Sequence, residues 1–108
     1  MEEYIESKSV FLNLFWDYPL NRVLDFLIMH QEFDYAMKEI ANKSGVGYST
    51  LKLFWKQLVK SKIIILTREL EKAKLYKLNK NSSIVQSFEK FYWTITKSEI
   101  RKELEIEA

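Results

Sequence analysis

Ile40-Ala41-Asn42-Lys43-Ser44-Gly45-Val46-Gly47-Tyr48-Ser49-Thr50-Leu51 is the stretch whose reading decides the fold. Just before it, Asp34 is placed to cap a short helix whose buried side is Met37, Ile40 and Ala41 at helical spacing. Ser44-Gly45 ends that helix, because glycine takes the left-handed backbone of a helix C-terminus without strain. Val46 follows, and Ser49 or Thr50 starts the next helix, with Leu51, Phe54, Trp55, Leu58 and Val59 as its apolar face. Small Ala41 lets the two helices cross closely, and Val46 and Leu51 plug the corner between them. Away from the apolar stripe lie Tyr48, Ser49, Lys52, Leu53, Lys56 and Lys60, which combine positive charge with hydrogen-bonding groups.

Towards the N-terminus, residues 10–16 (Val-Phe-Leu-Asn-Leu-Phe-Trp) are apolar almost throughout, so this short helix must be covered on more than one side. Asp17-Tyr18 breaks it, and Pro19 suits the first turn of a new helix, where its missing amide proton would have no partner. Leu20, Val23, Leu24, Leu27 and Ile28 then give one apolar stripe through about His30, and Phe33 and Asp34 form a short connection. Beyond Lys62 the pattern changes. Ile63-Ile64-Ile65-Leu66-Thr67 and Ala73-Lys74-Leu75-Tyr76-Lys77-Leu78 read as a hairpin with its turn near residues 69–72. Which side of it faces the core stays open, since one bulge would exchange the faces. Asn81, Ser82 or Ser83 caps a last helix with Ile84, Phe88, Phe91, Tyr92 and Ile95 on one side, continuing through Ile100 and Leu104.

The chain has 108 residues, which suits one domain spanning 1–108 with one core. It has no cysteine, so neither disulfides nor thiolate metal sites are expected. The acidic start (Glu2, Glu3, Glu6) is unlike a secretion signal and no apolar run is long enough to span a bilayer; a soluble, cytoplasmic protein that does not engage membranes is expected. Charge is distributed unevenly. Residues 1–40 carry 3 positive and 8 negative side chains, residues 41–80 carry 10 and 2, and residues 81–108 carry 4 and 5. A basic middle flanked by acidic or neutral segments is the footprint of a phosphate-facing surface.

The order helix, helix, turn, helix, hairpin, helix, together with Ile40-Ala41, Gly45-Val46, Ser49-Thr50-Leu51 and Lys74-Leu75-Tyr76-Lys77-Leu78-Asn79, resembles the winged helix-turn-helix transcriptional regulators, small archaeal members in particular. The fold class so implied is mainly α with a small β-hairpin: a helix-turn-helix over about 34–61, a wing over about 63–79, a C-terminal helix over about 83–104 and an extra N-terminal helix. The resemblance implies a sequence-specific regulator of double-stranded DNA, with its third helix in the major groove and a basic wing on the backbone. Ser49 and Thr50 would then hold phosphate at the helix N-terminus, and Tyr48, Lys52, Leu53 and Lys56 would face bases. Lys60, Arg68, Lys72 and Lys74 would contact phosphates. Glu69 and Glu71 depart from the pattern, since phosphate would repel them at the wing tip.

Surplus aromatics suggest a homodimer through Phe11, Phe15, Trp16, Phe91, Trp93, Ile100 and Leu104, as a two-fold operator would require. His30 stands alone, without a second histidine or a cysteine to complete a metal site, so no metal or other cofactor is expected. No glycine-rich phosphate loop, nucleophile motif or histidine pair supports an enzyme. No buried polar cluster marks a pocket, so no small-molecule effector is expected. The alternative function is a winged-helix protein-interaction module within a larger assembly, which exposed Leu53 would favour and the basic middle segment would not.

Overall fold

The computed structural model describes residues 8–107; acidic Glu2, Glu3 and Glu6 lie outside this range. The elements run α1 (Val10–Phe15), α2 (Pro19–Met29), β1 (Tyr35–Ala36), α3 (Met37–Ser44), α4 (Tyr48–Lys60), β2 (Ile64–Leu70), β3 (Ala73–Leu78) and α5 (Ser83–Glu107). This mainly helical chain with a small antiparallel sheet has the winged helix-turn-helix architecture, with an added helix at each end.

The α3–α4 corner forms for the reasons its sequence suggests. Gly45 sits in the left-handed region (φ 72°, ψ 30°), and the Val46 amide donates to the Ala41 carbonyl at 2.9 Å, closing the end of α3. Ile40, Ala41, Val46 and Leu51 are buried together. Arg22 of α2 braces the turn from outside, its guanidinium donating to the Gly45 carbonyl at 2.7 Å while also gripping Asp17.

Two details of these helix starts differ from expectation. Asp34 does not cap α3. The chain makes a short strand first, Ala36 becomes the N-cap, and its amide donates to the Glu39 carboxylate at 2.9 Å. The next helix starts at Tyr48 with Gly47 as N-cap, so Ser49 and Thr50 lie within its first turn and neither side chain caps it. Local sequence did not show that Tyr35 and Ala36 would be taken up by β3, opposite Tyr76 and Leu75.

The sheet order is β1-β3-β2, and the hairpin turn is tight, with Leu70 opposite Ala73 and Glu71 at φ 56°. Counting back from that turn without interruption would set Ile65 opposite Leu78 and send Ile64 to the wrong face. A bulge at Thr67 corrects the register. Ile64 faces Leu78, and both are fully buried, while beyond the bulge Glu69 faces Lys74 as an opposite-charge pair. The bulge thus settles the face that alternation left open.

Ser82 accepts the Val85 amide at the start of α5. Val85, not Ile84, is the buried residue of that first turn; Ile84 is exposed. Further along, Tyr92 is 1% exposed and packs its ring against Phe11, Phe88 and Trp93. Its hydroxyl donates to Asp25 of α2 at 2.7 Å, and Ser9 donates to the same carboxylate oxygen, so a polar knot ties α1, α2 and α5. Burial, reinforced by the Asp25 carboxylate, pushes the Tyr92 hydroxyl well above the usual phenol range and keeps it a donor.

Candidate nucleic-acid interface

Helix α4 exposes one long face because its opposite side, Leu51, Trp55 and Leu58, is buried in the core. Lys52, Lys56 and Lys60 follow at four-residue spacing and form a row along it; all three are exposed. At the head of the row two ammonium groups approach the Tyr48 ring, Lys52 Nζ at 4.9 Å and Lys38 Nζ at 5.5 Å from its centroid. Lys38 was missed in the sequence because it belongs to the acidic segment; only the crossing of α3 and α4 brings it to Tyr48. Leu53 is 83% exposed, more than any other large apolar residue in the described chain, and occupies the same outward face.

Between α4 and the sheet runs an open groove of about 610 Å³, lined by Met37, Trp55, Val59 and Tyr76 below and by Lys52, Lys56 and Lys60 at its rim. In its floor the Trp55 and Tyr76 rings pack edge to face, with centroids 5.1 Å apart. Cationic rim, apolar floor and a helix N-terminus at one end together make a surface for an anionic, partly apolar polymer. No carboxylate lines it.

The wing residues are less uniform. Lys72 and Lys74 are exposed, with Lys74 opposite Glu69. Arg68 is engaged by Asp34: its Nε donates to one carboxylate oxygen at 3.0 Å and its Nη2 to the other at 3.2 Å. Hydrogen bonds from Arg68 and then Thr67 hold the Asp34 carboxyl down to about 2 from its ordinary 3.8. Asp34, proposed from sequence as a helix cap, is thus a partner of the wing.

The residues proposed for self-association divide into three groups. Phe11 is 5% exposed, packed on Phe15, Phe88 and Tyr92, so it belongs to the chain's own core and has no apolar surface left for a partner. Phe15, Trp16 and Phe91 form an exposed patch where α1 meets α5, with the Phe15 and Phe91 rings 5.3 Å apart. Trp16 is held outward at φ 74°, and the Asn21 side chain donates to the Phe15 and Trp16 carbonyls. Ile100 and Leu104 are exposed on the far part of α5; at roughly 100° per residue they lie about half a turn round from Phe91, on the side of partly buried Trp93.

Among the described residues no group of side chains could hold a metal ion, and no helix is long and apolar enough to cross a membrane. His30 packs its ring on Phe26, centroids 4.8 Å apart. No protein-family model and no curated protein matches the sequence. Solved structures do share the fold. A variant of Lactococcus lactis ZitR superimposes with a TM-score of 0.56 at 16% identity, over 79% of this chain and 57% of that one. Wild-type ZitR in complex with DNA gives 0.54 at 17% identity, over 75% of this chain and 57% of that one. At this identity the likeness is one of fold, and the matched region spans little more than half of the ZitR chain.

Proposed function

We propose that the protein is a double-stranded DNA-binding transcriptional regulator of the winged-helix type and not an enzyme. The observation that carries this is the row Lys52, Lys56 and Lys60, headed by Tyr48 with two lysine ammonium groups against its ring, on the exposed face of α4. That ZitR, with the same fold, has been solved with DNA supports it. Helix α4 enters the major groove. Ser49 and Thr50 meet phosphate at its N-terminus, Tyr48, Lys52, Leu53 and Lys56 face base edges, and Lys60, Lys72 and Lys74 meet phosphates of the flanking backbone. Neither cofactor nor small-molecule effector is part of this function, which is carried out in the cytoplasm.

A homodimer completes the proposal. The exposed Ile100-Leu104 stripe of α5 can pair with its own mate across a two-fold axis, as an isologous interface requires, while the Phe15-Trp16-Phe91 patch faces the other side of the helix. Two α4 helices then read two half-sites.

The test is binding of a fluorescent random-sequence duplex at two salt concentrations, by wild type and by the Lys52→Ala/Lys56→Ala variant. Salt-sensitive binding that weakens in the variant supports the assignment. Absence of wild-type binding at low salt removes it and favours a protein-interaction module, for which the exposed Leu53 and the apolar groove floor would supply the contact.

A further inference from the structure

The wing arginine is the residue for which sequence and geometry assign different work. Asp34 precedes edge strand β1, and its carboxylate reaches Arg68 on β2 past the intervening β3. Both carboxylate oxygens are used on the Nε–Nη2 edge of the guanidinium, the two-pronged edge that an arginine offers to phosphate. One of them also accepts the Thr67 hydroxyl at 2.5 Å. Thr67 is the extra residue of the bulge, and its hydroxyl lies 3.1 Å from the Leu75 carbonyl as well. The carboxylate therefore ties the bulge, the outer strand and the segment leading into the helix-turn-helix at one point.

We infer that Asp34 is a positioning residue for the wing, which fixes the hairpin against the helix-turn-helix and withholds Arg68 from the DNA backbone. This rests on the proposed DNA-binding function and deepens it. With Arg68 held by Asp34 and Glu69 facing Lys74, much of the wing's charge is balanced within the protein, and Lys60 of α4 makes the principal phosphate contact. The wing sets the pose in which α4 is presented.

The experiment measures the slope of log affinity against log salt on a fluorescein-labelled random-sequence duplex. Arg68→Ala leaves the slope as in wild type, whereas Lys60→Ala lowers its magnitude by about 0.9. Asp34→Ala raises it by about 0.9, because the freed Arg68 takes up a phosphate, and the increment disappears in Asp34→Ala/Arg68→Ala. A drop of about 0.9 for Arg68→Ala alone overturns the inference, since Arg68 would then be a direct phosphate contact. A second measurement needs no DNA. Nitrogen-15 relaxation of residues 67–72 shows increased nanosecond motion in Asp34→Ala and in Arg68→Lys, which keeps the charge and loses the fork. Wing relaxation identical to wild type in both variants overturns the inference independently. Failure of wild type to bind duplex at low salt removes the DNA-binding function instead, and relaxation still decides whether Asp34 holds the wing.

Discussion

Two exposed regions of this molecule are built from opposite materials. The α4 and sheet end presents Lys52, Lys56 and Lys60 over a groove with no carboxylate, whereas the α1 and α5 end presents Phe15, Trp16 and Phe91 with Ile100 and Leu104 beyond. Solvated lysines cost little to expose and attract polyanions at long range, but aromatic and aliphatic side chains gain only by being covered. On the proposed function, contact with a charged polymer and contact with a second copy fall on separate surfaces that share only the core.

The division is broken most directly by charge reversal. Lys52→Glu with Lys56→Glu should reduce duplex affinity by at least about 100-fold at ~0.1 M salt, by removing two attractive charges and adding two repulsive ones. Light scattering and thermal melting should be unchanged. A change in association on this substitution would show that the two ends are not separate. Ile100→Asp with Leu104→Asp is the converse. It should convert a dimer to a monomer in light scattering at micromolar concentration and weaken operator binding through lost bivalency, while each copy still binds random-sequence DNA.

Smaller effects sharpen the α4 end. Gly45→Ala forces a side chain into the left-handed region and should cost about 1 kcal/mol in urea denaturation, because the corner depends on that backbone. Asp34→Asn tests the wing contact through pH. The folded carboxyl is held down to about 2, below its ordinary 3.8, so its contribution is complete above the unfolded value and is lost as pH falls towards 2. The gap in melting temperature between wild type and Asp34→Asn should therefore be constant above about pH 5 and narrow steadily below pH 4. Wild type should lose further stability over the same range, since Arg22 and Lys8 also hold Asp17 below the ordinary carboxylate value.

What local sequence determined is what a few neighbouring residues fix by themselves. The αL requirement at Gly45, the buried stripe of Leu51, Trp55 and Leu58, and hence the outward face with Lys52 and Lys56 all follow from helical periodicity and backbone sterics within one short stretch. Residues that meet only through the fold were beyond that reach. Phe11 looked like free apolar surface until α5 closed over it, and Lys38 joined Tyr48 only when α3 crossed α4. Asp34 and Arg68 stand far apart in the chain and on either side of β3, so neither shows its role locally. Pairing of β1 with β3 and the bulge at Thr67 brought them together, which is a matter of register, and register is set by which side chains across the sheet can be buried at once.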